Sequence, residues 1–208
     1  YSTGTTIVNG VVTFTAIDHT ACPAGTYQAS AGQSSCDDAD SGYYSEGTLP
    51  AAIATSQTAC GAGTYQGQTG QTSCDDAAAG YYSPGTVGGS GVDSSVTGVA
   101  TSDVPCAAGT YQASTGQSSC DTTDSGYYSP GTTIVNGVVT NTATSPTACA
   151  VGTYQASTGQ SSCDDTDAGY YSPAISATIQ LPCAAGKYQA DTAQSSCDDA
   201  VSGYYSPG

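Results

Sequence analysis

The sequence predicts an all-β to irregular fold of small disulfide-rich modules, repeated in tandem and stacked into an elongated rod. Three observations carry that prediction. Ten cysteines in 208 residues fall into five pairs, Cys22/Cys36, Cys60/Cys74, Cys106/Cys120, Cys149/Cys163 and Cys183/Cys197, each with thirteen residues between its members. Around them one frame recurs, C-x-x-G-[TK]-Y-Q-x(4)-Q-[ST]-S-C-D-x(4)-G-Y-Y-S, and a fixed internal period marks a solenoid or array. No stretch of useful length carries a helical period. Leu, Ile, Val and Phe number only 22, far below the roughly 20% that a central hydrophobic core normally needs. With 59 Ser plus Thr and 27 Gly, composition alone would read as disorder. The placement of cysteine and tyrosine opposes that reading, and a conventional globular enzyme is not expected.

The repeat divides the chain into a partial leading module with a hairpin at residues 1–21, repeats at 22–59, 60–105, 106–148 and 149–182, and a partial repeat at 183–208. The cystine half is fixed in length, and the variation lies after the Gly-Tyr-Tyr. The chain begins and ends at the same phase of the repeat, Tyr1-Ser2-Thr3-Gly4 matching Tyr205-Ser206-Pro207-Gly208, as expected of a window cut from a longer array. Its lack of an initial Met is expected of a mature or internal piece.

Within each cystine half, Gly25, Gly63, Gly109, Gly152 and Gly186 mark a tight turn, and the following Thr-Tyr-Gln reads as a short strand. A second turn is signalled by Gly32, Gly70, Gly116 and Gly159, with Ala193 as the exception. The Tyr pairs Tyr43/Tyr44, Tyr81/Tyr82, Tyr127/Tyr128, Tyr170/Tyr171 and Tyr204/Tyr205 read as extended, with neighbouring rings on opposite faces. On this reading the sixteen tyrosines replace the missing aliphatic core. TTIVNGVVT occurs at 5–13 and again at 132–140, and its Asn-Gly predicts a two-residue hairpin with a type I′ turn. Residues 85–95, with GGSG, read as a flexible loop.

The frame resembles the ephrin-receptor-like cysteine-rich repeat, a relative of tumour-necrosis-factor-receptor modules, found in receptors and in long surface proteins of microbes and algae. In that family, modules of the form C-x-x-G-x-Y…C follow one another through C-x-x-C junctions. This chain departs from the pattern systematically. The positions three after each second cysteine hold Ala39, Ala77, Thr123, Thr166 and Ala200, and those three before the next first cysteine hold Gln57, Asp103, Pro146 and Gln180. Every alternate module has therefore lost both cysteines together, which supports pairing within a module: Cys22 to Cys36, Cys60 to Cys74, Cys106 to Cys120, Cys149 to Cys163 and Cys183 to Cys197. Each bridge closes a loop of about 15 residues and is expected to contribute about 3 kcal/mol. Zinc, the rival reading of a cysteine array, takes C-x2-4-C pairs, whereas every close pair here is C-x13-C.

The acidic turn after each second cysteine is the best candidate ligand site. Asp37, Asp38 and Asp40 in the first copy, and Asp164, Asp165 and Asp167 in the fourth, present D-D-x-D-x-G, part of an EF-hand-like oxygen set for calcium. No Glu closes the loop, and the competing reading is a solvated acidic turn that keeps neighbouring rods apart. His19 is the sole histidine and reads as an exposed linker residue, since no partners for catalysis recur around it. No Asn-x-Ser/Thr sequon occurs. Thr5, Thr6, Thr13 and Thr15, and Thr140, Thr142, Thr144, Ser145 and Thr147, are candidates for O-glycosylation.

With 17 acids, one Lys and no Arg the net charge is -16, which excludes nucleic-acid binding through phosphate contacts and disfavours anionic membranes. No run of about 18 apolar residues predicts membrane insertion, and no signal peptide is read. Regular cysteines point to an extracellular or cell-surface setting. The function expected is structural: a segment of a filament, stalk or surface appendage that associates with itself, carries O-linked glycans and needs no cofactor beyond the calcium considered above. Ile7, Val8, Val11, Val12, Ile134, Val135, Val138 and Val139 are the expected assembly contacts, because strand edges template pairing. The alternative is an adhesin or receptor-type module presenting a ligand surface at residues 46–53, 92–104 or 174–181, where the copies differ most.

Overall fold

The computed structural model describes residues 2–8, 11–48, 53–86 and 98–208, with side chains from residue 19 onward. Among the described residues every regular element is a strand, and every sheet is an antiparallel pair. All five cystines form within their modules, from Cys22–Cys36 to Cys183–Cys197, and no described cysteine is free. The chain divides into two compact units, Tyr1–Asp76 with Pro84–Ser102, and Ala77–Ser83 with Asp103–Gly208.

Each repeat builds two hairpins. In the cystine half, Thr26–Tyr27 pairs with Asp37–Asp38, and the equivalents Thr110–Tyr111, Thr153–Tyr154 and Lys187–Tyr188 pair in the same register. In the cysteine-free half the Tyr pair supplies the first strand. Tyr43–Tyr44 pairs with Thr58–Ala59, Tyr81–Tyr82 with Val104–Pro105, Tyr127–Tyr128 with Thr147–Ala148, and Tyr170–Tyr171 with Leu181–Pro182. The two hairpins superimpose in sequence: Cys22 stands four residues before Thr26 as Ala39 does before Tyr43, and Cys36 directly precedes Asp37 as Gln57 precedes Thr58. The lost cysteine positions therefore occupy the corners that a cystine clips in the other half.

Within a unit, successive halves are joined by the same four backbone hydrogen bonds. From the second half of repeat 3 to the first half of repeat 4, Cys149 N–H donates to the Gly126 carbonyl (2.9 Å), Gly126 N–H to Gln155 (2.7 Å), Ser129 N–H to Gln160 (3.0 Å) and Gly159 N–H to Thr123 (2.8 Å). Between the halves of repeat 4, Thr166 donates to Gly152, Gly152 to Ser172, Gln155 to Ala177 and Ser176 to Cys149, at 2.8–3.0 Å. Repeat 1 makes the corresponding set, Ala39 to Gly25, Gly25 to Ser45, Gln28 to Ala54 and Thr48 to Cys22. Stacking is thus carried by the main chain, whose donors and acceptors must be satisfied wherever they are buried.

That spacing dictates what fills the interior. The fully buried residues are small: Cys60, Cys106, Cys149, Ala39, Ala77, Thr123, Thr166, Ser83, Ser129 and Ser172. The expectation of a tyrosine core is corrected. No described tyrosine is buried; most are half-buried, and Tyr170, Tyr188, Tyr204 and Tyr205 are exposed. Neighbours drawn together by backbone hydrogen bonds leave no volume for a ring, so the rings lie at the surface with their apolar edges partly covered. Close approach also fixes several of the glycines that precede a first strand. Gly109 has φ of 84°, and a Cβ there would overlap the Gly159 carbonyl of the next repeat. Gly126, its counterpart in the cysteine-free half, faces the Ser176 carbonyl in the same way.

The second-turn glycines take left-handed φ as expected, and Ala193 takes it too, at 57°. Asn136 (52°) and Gly137 (77°) turn the hairpin of Thr133–Val135 with Val138–Asn141. In the first copy of that nonapeptide, Ser2–Val8 pairs with Val11–Asp18, with Val8 opposite Val11. Asn9 and Gly10 lie outside the described residues. So do residues 87–95 of the expected loop, while its beginning is anchored: Thr86 is buried, and its hydroxyl donates to the Gly42 carbonyl (2.8 Å).

Candidate functional site

The side chains that recur in every copy close the modules on themselves. The Gln after each first-strand Tyr reaches across its own cystine loop. Gln112 Nε2 donates to the Ser119 carbonyl (3.0 Å) while its Oε1 accepts the Ser114 N–H (3.0 Å), and Gln66 and Gln155 repeat both contacts. Burial of these three amides is tolerated because both ends are hydrogen-bonded. In repeats 1 and 3 the Ser after the Tyr pair ties its half to the cystine half before it. Ser129 Oγ donates to the Thr110 carbonyl (2.8 Å) and accepts the Gly131 N–H (3.2 Å), and Ser45 does the same with Thr26 and Gly47.

In the cysteine-free half an amide or carboxylate takes the place of the second sulfur. Gln57 Oε1 accepts the Asp40 N–H (2.6 Å) while its Nε2 donates to the Asp40 carboxylate (2.7 Å). Gln180 grips Asp167 in the same two ways, at 2.7 Å each, and Asp103 accepts the Ala78 N–H (3.1 Å). Pro146 has no side-chain donor or acceptor with which to do so.

These contacts decide the fate of the acidic turns. Asp37 accepts from Gln28 (3.2 Å), Asp164 from Gln155 (3.4 Å), and Asp40 and Asp167 are held by Gln57 and Gln180. Asp37 and Asp38 are neighbours on one strand, as are Asp164 and Asp165, so their side chains point to opposite faces. The structure does not gather either trio. Among the described residues no three His, Cys, Asp or Glu side chains form a group able to hold a metal ion. Asp37, Asp40, Asp164 and Asp167 are acceptors for the glutamines of their own repeat.

His19 is exposed and borders a shallow depression of about 630 Å³ lined by Cys22, Pro23, Thr26, Gln28 and Ile53, among others. Lys187 makes an ion pair with Asp199 across the last cystine hairpin (2.7 Å), and that hydrogen bond holds its ammonium pKa above the usual lysine range. Of the candidate glycosylation residues, Thr140, Thr142, Thr144, Ser145 and Thr147 are exposed, although Thr140 Oγ1 shares a hydrogen bond with Thr133 Oγ1 (3.1 Å). The side chains of Thr5, Thr6, Thr13 and Thr15, and of Ile7, Val8, Val11 and Val12, lie outside the described residues. Ile134, Val135, Val138 and Val139 are all exposed.

The chain is an all-β, cysteine-rich tandem repeat array with one cystine in every second hairpin. No helix among the described residues is long and apolar enough to cross a membrane. Neither a protein-family model nor a curated protein matches the sequence.

Proposed function

We propose that this chain is a segment of an extracellular structural repeat protein, related to ephrin-receptor-like modules, that forms part of a filament, stalk or surface appendage and associates with itself. The observation that supports this best is the junction: within each unit, successive halves spend their main-chain groups on the same four bonds to one another, while the recurrent Gln side chains close their own hairpins. Such a design is open-ended by nature, since each module needs only a neighbour of its own kind. Five cystines suit an oxidising compartment. The exposed hydroxyls at 140–147 are the best placed for O-linked glycans, and an intact mass above the sequence mass by whole sugar units would reveal them. Electron microscopy of the purified protein tests the main reading. Elongated or end-joined particles are expected, and compact monodisperse ones would overturn it.

A second reading, a binding module on the same scaffold, draws support from residues 174–181, where Ile175 (69%) and Ile179 (62%) are left in solvent. Replacing that loop with the corresponding stretch of repeat 3 abolishes ligand capture on this reading, and leaves it unchanged if the loop is only a spacer.

A further inference from the structure

The hairpin of Thr133–Val135 with Val138–Asn141 breaks the rule that the rest of the molecule follows. Val135 lies opposite Val138, and Ile134 opposite Val139. Neighbouring side chains on a strand point to opposite faces, so one face carries Val135 with Val138 and the other Ile134 with Val139. A hairpin with one face in water alternates apolar and polar residues; one that is apolar on both faces is built to be covered on both. Here neither is covered. Val135 is 54% exposed, Val138 63%, Ile134 49% and Val139 47%, and among the described residues no third strand joins this sheet.

Charge and duplication say what covers it. The chain carries -16 with a single lysine, so two copies repel wherever their acids face each other. Between Asp124 and Asp164 there is no charged residue at all, and the hairpin sits inside that interval. The same nonapeptide recurs at 5–13, where its strands again pair with Val8 opposite Val11, so every copy offers two hairpins of one apolar, uncharged sequence. We propose that the occupant is a second copy of this chain, hairpin against hairpin, and that the two apolar faces let association continue beyond a dimer. The proposal rests on the self-association reading above and names the surface that performs it.

Sedimentation velocity over a concentration series tests it with three proteins: the unaltered chain, Val135→Asp/Val138→Asp, and Val151→Asp/Val201→Asp as a control that adds the same charge at comparably exposed sites. The unaltered chain and the control are expected to form species larger than a dimer. The hairpin variant should associate at least ten-fold more weakly, with its thermal midpoint unchanged. If its midpoint falls, Val135→Thr/Val138→Thr, which keeps strand-forming residues, should show the same weakening. A hairpin variant that associates like the parent overturns this inference and leaves self-association standing. Equal weakening of both variants also overturns it, because charge rather than the hairpin would then be responsible. A parent that stays monomeric throughout overturns both. Flotation of the parent but not the hairpin variant with phosphatidylcholine vesicles would give the face to a lipid surface and overturn the inference as well.

Discussion

The two halves of a repeat reach the same hairpin by different chemistry. In the first, a covalent bridge such as Cys106–Cys120 joins the corners ahead of the two strands; in the second, Gln57 or Gln180 grips an aspartate with two hydrogen bonds, or, at Pro146, nothing comparable stands there. Register, turn glycines and the four junction bonds are otherwise shared. Clipping a hairpin and stacking it are therefore separable tasks. Stacking is common to both halves and sets the fold, whereas the clip adds stability where it is present. The difference also explains where the sequence tolerates insertion. The cystine loops keep one length because the recurrent Gln spans them, while the cysteine-free halves place extra residues in the loop between their strands, at a cost that grows only slowly with length.

Removing a bridge should give the largest effect. Cys106→Ala/Cys120→Ala releases a 15-residue loop and is expected to cost about 3 kcal/mol in chemical denaturation. If stacking is independent of the clip, the altered half stays folded as its cysteine-free neighbours do, and hydrogen exchange rises mainly within repeat 3. Cooperative loss of the whole unit would break the comparison. The converse change sharpens it. Ala39→Cys/Gln57→Cys places thiols at the equivalent corners of a cysteine-free half, and a sixth cystine is expected, with a gain below about 3 kcal/mol because the Gln57–Asp40 contacts are lost. Persistent free thiols after air oxidation would show that the two corners are not equivalent.

The stacking glycines should respond alike in both halves. Gly109→Ala and Gly126→Ala each force a side chain into a left-handed backbone and against a carbonyl of the next repeat, and a loss of about 2 kcal/mol or more is expected for each. Gly32→Ala has the same φ sign but open space around it, so it should cost only about 1 kcal/mol. A markedly smaller loss at Gly126 than at Gly109 would mean that the cysteine-free halves are stacked more loosely.

The cystines, the short Thr-Tyr strands and the Asn136-Gly137 turn were legible in the sequence because each has a local signature: paired spacing, a glycine before a β-former, an Asn-Gly dipeptide. The junctions were not. They consist of main-chain bonds, which leave no side-chain trace beyond glycines that suit many turns. Tyrosine misled for a related reason: its frequency suggested a core, yet the side chains with almost no exposure are only Ala, Ser, Thr and Cys. Two signals were present and unread. The Ser after every Tyr pair and the Gln after every first-strand Tyr recur in all five copies, as expected of groups with a fixed hydrogen-bonding task. Gln57 and Gln180 were visible only as missing cysteines, because their role depends on an Asp brought near by a hairpin that the sequence does not announce.

The smallest effect tests the corner itself, at two threonines that occupy the same lost-cysteine position. Thr166 is fully buried, and its hydroxyl accepts the Gln194 N–H (2.9 Å) and donates to the Gln194 carbonyl (3.3 Å). Thr123 is equally buried, but its Oγ1 has no hydrogen-bond partner. A buried hydroxyl without a partner carries a desolvation penalty that its bonded counterpart offsets. Replacing hydroxyl by methyl at constant shape should therefore act with opposite sign at the two sites. Thr123→Val is expected to stabilise by about 1 kcal/mol, and Thr166→Val to destabilise by about the same amount, each read from denaturation midpoints at unchanged slope. Equal losses at both would mean that Thr123 finds a partner in solution, and that the corners of successive repeats are closed by one chemistry.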